Sequence, residues 1–85
     1  MFTILVYDIK EERVAKIYKI VKRYLYKKQK SVFDGLINKE DLNKLKKDLE
    51  KVMNKEEDSV IIYEFKNKNC ELVVLGKALE DDEII

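Results

Sequence analysis

The chain has 85 residues, 46% hydrophobic and 41% charged, with 18 basic and 17 acidic groups for a formal net charge of +1; this suits one folded core that buries about 60% of the unfolded surface, and it is too apolar for disorder. It has no histidine and one cysteine, Cys70, which excludes Ser-His-Asp triads, Cys-His nucleophiles, imidazole zinc sites and any disulfide within the chain. No apolar run approaches the roughly 20 residues of a bilayer crossing, and MFTILVYDIK carries an acid too early for a secretory signal, so a soluble cytoplasmic protein with no membrane contact is expected.

Residues 2–9 (FTILVYDI) are apolar on both alternating faces and rich in β-branched and aromatic types, which predicts a strand in mid-sheet. Apolar residues at 17, 20, 21, 24 and 25 then recur at a helical period and predict a first helix over about 11–26. Its opposite face carries Lys16, Lys19 and Arg23. Lys27 to Ile37 returns to strand character as one bent strand or two, anchored by Val32 and Phe33, with Asp34-Gly35 as a bend or bulge signal. Asn38 followed by Asp41 marks a helix start, and Leu42, Leu45, Leu49, Val52 and Met53 extend an apolar stripe to about residue 55. Residues 58–65 (DSVIIYEF) and 70–75 (CELVVL) read as two strands of a hairpin joined at the polar turn 66–69, and the tail 77–85 is acidic at 80–83.

Strand, helix, strand region, helix, strand, strand is the order of a ferredoxin-like α+β sandwich, one domain over 1–85 with both helices on one face of an antiparallel sheet. The other face then needs a cover, and a second copy of the same sheet, in a two-fold homodimer, is the simplest.

The near-zero net charge hides an uneven distribution. Residues 1–35 hold nine basic and four acidic groups (+5), and 36–85 hold nine and thirteen (−4). From Lys16 to Lys30 there are seven cations (Lys16, Lys19, Lys22, Arg23, Lys27, Lys28 and Lys30) and no acid. That pattern suits phosphate contacts on a nucleic acid as well as a solvated helix face.

Asp8, at the end of the first strand, has two readings. As an N-cap with Glu11 three residues on, it would stabilise the first helix by about 1 kcal/mol. As a hard oxygen ligand it would hold Mg²⁺ or Mn²⁺, shared with a second Asp8 across a two-fold axis, in phosphodiester hydrolysis. Ser31 has no base nearby in sequence and reads as a hydroxyl for phosphate or backbone, while Phe33 and Cys70 read as buried apolar residues.

Val6-Tyr7-Asp8-Ile9, then QKSVFDG at 29–35, then DSVIIY at 58–63 resemble, in order and spacing, the three signatures of CRISPR-associated protein 2. The resemblance spans residues 1 to 76. It implies a ferredoxin-like homodimer that acts in spacer acquisition, with segment 77–85 crossing onto the partner's sheet. It also implies Mg²⁺-dependent endonuclease activity on RNA or duplex DNA centred on Asp8, with Arg13, the basic residue early in the first helix, among the residues that bind nucleic acid, and Ser31 and Phe33 on the Ser-Val-Phe core. Lys27 and Lys28 stand where the family often has arginines, which keeps charge but loses bidentate phosphate geometry; Asp34 replaces the commoner Glu. The family is also described as a non-catalytic bridge between dimers of the integrase, CRISPR-associated protein 1, on which its basic surface holds DNA. A toxin-like ribonuclease of the virulence-associated protein D type shares the fold and is a third reading.

Overall fold

The structure is a computed structural model that describes residues 1–66 and 69–77. Its elements are β1 (Phe2–Asp8), α1 (Glu11–Val21), β2 (Tyr26–Gln29), β3 (Val32–Leu36), α2 (Lys39–Val52), β4 (Ser59–Lys66) and β5 (Asn69–Gly76). The strands form one antiparallel sheet in the order β2-β3-β1-β4-β5. This is the α+β ferredoxin-like arrangement, with β1 central as its apolar sequence predicts.

Both helices cover one face. Leu5 and Tyr7 of β1, Phe33 of β3 and Val60 and Ile62 of β4 pack against Ile17, Ile20 and Val21 of α1 and Leu42, Leu45 and Leu49 of α2. Asn38 caps α2 through its side chain, which accepts from Asp41 N at 2.7 Å. Glu64 of β4 is a carboxylate sealed under this layer, 1% exposed, with Lys46 Nζ at 3.3 Å and Lys39 Nζ at 3.7 Å.

Among the described residues, nothing covers the opposite face. Register sets Phe2, Ile4 and Val6 beside Phe65, Tyr63 and Ile61, and those beside Cys70, Leu72 and Val74. Phe2, Leu72 and Val74 are exposed. The expected unpaired apolar surface is therefore present.

Several expectations are corrected. Helix α1 stops at Val21, five residues short, because Tyr24 and Leu25 fit a helical stripe while lying in the turn that leads into β2. Of the two readings of the segment from Lys27, two strands is the one observed, but the register shift lies between Lys27 and Gln29 rather than at Gly35, which pairs regularly with Thr3. Helix α2 ends at Val52, with Met53 extended. Cys70 is exposed, because on β5 only Val73 and Leu75 reach the helix-covered layer while Cys70 faces the bare side. The expectation that segment 77–85 crosses to a partner falls, beyond Lys77, outside the described residues, as does the middle of the turn at 67 and 68. Among the described residues no helix is long and apolar enough to cross a membrane.

Gly76 closes β5 with φ of +83°, a conformation that side chains resist. A Cβ there would collide with the carbonyl oxygen of Asp58, which also accepts from Lys77 N at 2.8 Å. The exit of β5 is thus pressed against the start of β4.

Candidate functional site

Asp8 is the last residue of β1, opposite Ser59 of β4. Alternation places it on the same side as Phe2, Ile4 and Val6, at the end of the bare face. Tyr7 N donates to Ser31 O at 3.1 Å, which brings the loop between β2 and β3 alongside the end of β1. A cleft of about 290 Å³ opens there, lined by Tyr7, Asp8, Ile9, Val14, Lys30 and Ser31. Three residues marked by the sequence, Asp8, Lys30 and Ser31, thus meet in one place. A carboxylate, an ammonium and a hydroxyl share the cleft with the apolar side chains of Ile9 and Val14.

Asp8 does not cap α1. The N-cap is Lys10, whose side chain makes no capping bond, because β1 continues through Asp8 and the first helical residue is Glu11. The carboxylate of Asp8 is exposed and, among the described residues, enters no ion pair. Its neighbour Tyr7 stacks against Phe33 with ring centroids 5.5 Å apart. Burial, and then the nearby Tyr18 phenol, raise the Tyr7 phenol above its ordinary value, so it is a neutral donor at physiological pH.

The chain turns out of β1 at a buried carboxylate that sequence reasoning passed over. Asp58, fully buried, accepts from Lys10 N at 2.9 Å, Asn54 N at 2.9 Å, Arg13 Nε at 2.6 Å and Arg13 Nη2 at 3.1 Å. The Arg13 bond holds its pKa down at about 2 against the opposing effect of burial, helped by the two backbone N–H groups. Arg13 also reaches Glu57 at 2.8 Å, and these carboxylates raise its own pKa further. The guanidinium expected at nucleic acid is therefore engaged inside the chain. The available signal was position: Asp58 opens the DSVIIY segment, but it reads there only as the first residue of a strand, which in the structure begins one residue later at Ser59.

The remaining cations divide by surroundings. Lys16, Lys19 and Arg23 are exposed along and just beyond α1. Lys22 and Lys27 each place Nζ over the Tyr18 ring, 5.2 and 5.3 Å from its centroid, drawing two cations to one aromatic ring. Lys28 pairs with Asp34 at 3.6 Å across the bulge.

The donor set around Asp8 is oxygen only, which fits a hard divalent cation that keeps most of its shell as water. Among the described residues no group of three or more potential ligands exists. One carboxylate per chain makes such a site complete only if a second chain supplies another.

The family model for CRISPR associated protein Cas2 matches residues 1–72. The chain belongs to the Cas2 family. Curated relatives in that family include "CRISPR-associated endoribonuclease Cas2 3" of Thermodesulfovibrio yellowstonii, 49% identical over 76 residues that cover 88% of this chain and 86% of the relative. A second, "CRISPR-associated endoribonuclease Cas2 2" of Archaeoglobus fulgidus, is 34% identical over 88 residues, covering 100% and 96%. A Cas2 crystal structure superposes with a TM-score of 0.75 at 43% identity, covering 91% of this chain and 87% of that one. Cas2 from Streptococcus pyogenes shares the fold at 22% identity, with a TM-score of 0.71 and coverage of 80% and 89%. Membership in the Cas2 family agrees with a metal-dependent nuclease and with nucleic acid as the partner.

Proposed function

We propose that this Cas2-family chain is a homodimeric endonuclease of CRISPR spacer acquisition that hydrolyses phosphodiester bonds with paired Asp8 carboxylates and Mg²⁺ or Mn²⁺. The observation that carries the reading is the exposed Asp8, without an ion pair among the described residues, at the end of the bare sheet face and sharing its cleft with Lys30 and Ser31. The relatives whose names call them endoribonucleases support RNA as the first substrate to test, with duplex DNA second.

The apolar face of Phe2, Ile4, Val6, Ile61, Tyr63 and Leu72 gives the second copy its surface, and Asp8 lies on that side. Two copies of Asp8 are the groups to hold the cation. When bound, a hard divalent ion lowers the pKa of water and neutralises charge on the phosphate. Lys30 and the Ser31 hydroxyl hold phosphate oxygens at the cleft, and Tyr7 borders it as a neutral phenol. Lys16, Lys19, Arg23, Lys27 and Lys28 contact the backbone to either side, without reading sequence. Arg13 serves the site from behind, through Asp58. The dimer works in the cytoplasm, alongside the integrase that the family resemblance implies as partner.

Cleavage of single-stranded RNA and of duplex DNA, with Mg²⁺ or Mn²⁺, by the wild type and by Asp8→Asn tests this. A loss on the order of 100-fold is expected from removing a group that acts in the chemical step. Equal rates would overturn the reading.

A further inference from the structure

We propose that Asp58 is the positioning residue for Asp8, acting through Lys10 and Arg13 on the short turn between β1 and α1. The inference rests on Asp8 being the metal-holding carboxylate.

Only Ile9 and Lys10 separate the end of β1 from the start of α1. The turn has no side-chain cap of its own. Asp58 is fully buried and takes hold of it twice, by accepting from Lys10 N at 2.9 Å and by clamping the Arg13 guanidinium, one turn into α1, at 2.6 and 3.1 Å. Arg13 N and Val14 N in turn donate to Lys10 O, at 2.9 and 3.1 Å. Val14, whose N–H is one of these donors, and Ile9, which directly precedes Lys10, both line the cleft that Asp8 lines. Asp58 also directly precedes Ser59, the register partner of Asp8. One buried carboxylate therefore holds both the turn by which the chain leaves Asp8 and the first turn of α1, which carries Val14 to the cleft.

A carboxylate that must share an ion with its two-fold mate tolerates little displacement, because site geometry has to hold to about 0.5 Å. Residues that orient metal ligands from behind typically change affinity or activity by about 10- to 100-fold when altered. A residue that only stabilised the fold would change the fraction of active protein and leave the properties of that fraction alone.

The test compares wild type, Asp58→Asn, Arg13→Lys and Asp8→Asn as dimers, with folding checked by circular dichroism at the assay temperature. Mn²⁺ binding is read by loss of the free-ion electron paramagnetic resonance signal, and RNA cleavage is resolved into kcat and KM. Expected for Asp58→Asn are a Mn²⁺ midpoint raised about 10-fold, a fall of similar size in kcat and a KM within twofold. Arg13→Lys keeps the charge, loses the fork and should move the same way by less, and it carries the test if Asp58→Asn does not fold. A folded Asp58→Asn or Arg13→Lys with wild-type Mn²⁺ midpoint and kcat, beside an inactive Asp8→Asn, would overturn the positioning role and leave the Asp8 reading intact. Wild-type cleavage and Mn²⁺ binding by Asp8→Asn would overturn both.

Discussion

Acid should weaken this protein through Asp58 in a measurable way. The carboxyl sits at about 2 in the folded chain against an ordinary 3.8, held down chiefly by Arg13. A depressed folded-state pKa contributes stability that is fully present above the unfolded value and is lost as pH falls through the folded one. The difference of 3.8 − 2, or 1.8, at 1.36 kcal/mol for each pH unit corresponds to about 2 kcal/mol at pH 7. By pH 3 about 1 kcal/mol of this should be gone, and the rest should disappear by about pH 1. Asp58→Asn isolates the effect, since it keeps an oxygen for Lys10 N but cannot titrate, and the other carboxylates are common to both proteins. Urea unfolding of each at pH 7, 5 and 3, at one fixed protein concentration because an associating chain is concentration-sensitive, gives the gap between them. That gap should be nearly constant from pH 7 to 5 and narrow by about 1 kcal/mol at pH 3. A gap that held constant down to pH 3 would refute the assignment of the depressed pKa to Asp58.

Three other outcomes are expected. Lys46→Ala takes the nearer cation from Glu64, which is 1% exposed, and should cost about 2 kcal/mol in urea unfolding; pairing Lys46→Met with Glu64→Leu should recover most of that, and a Lys46→Ala protein as stable as wild type would show the ion pair to be idle. Ile61→Asp with Leu72→Asp sets charge into the bare sheet face, so sedimentation equilibrium should find a dimer for wild type and single chains for the variant, and an unchanged dimer would place the interface elsewhere. Lys22→Ala with Lys27→Ala removes the cations gathered at Tyr18 and should flatten the salt dependence of single-stranded RNA binding by about 1.4, roughly 0.7 for each lost phosphate contact. An unaltered slope would send the phosphates to another surface.

What the sequence disclosed and withheld follows from range. The strand β1 and the helix α2 were legible because their signals are local: alternating β-branched residues in one, a leucine stripe behind Asn38 in the other. The end of α1 was not, since Tyr24 and Leu25 keep a helical period in a chain without proline, and only the pairing of Tyr26 with Asp34, which opens β2, turns them into a connection. Asp8 and Glu11 have capping-box spacing, but the pairing of β1 with β4 carries the strand through Asp8 and leaves Lys10 as the N-cap, with the helix starting at Glu11 as expected. Apolar character suggested burial for Cys70, and its place on the bare side of an edge strand decided otherwise. For the site, motif spacing singled out Asp8 and Ser31 and the charge run included Lys30, but their meeting in a cleft depends on Tyr7 N bonding to Ser31 O, 24 residues away in sequence. Asp58 was invisible as a hub because its partners lie 45 and 48 residues upstream at Arg13 and Lys10.

The close passage of Gly76 over Asp58 also bears on how the protein can be handled. Asp8, Ser59 and Gly76 stand side by side at one rim of the sheet, so the backbone at Lys77 departs about 10 Å from the catalytic candidate. Met1 lies at the other end of β1, about 20 Å distant, where its amine donates to Ile37 O at 3.2 Å. A purification tag or dye joined at Met1 still leaves an N–H for that bond and stays clear of the cleft, whereas one attached just after Lys77 would crowd it. Immobilisation for binding measurements should therefore use the Met1 end.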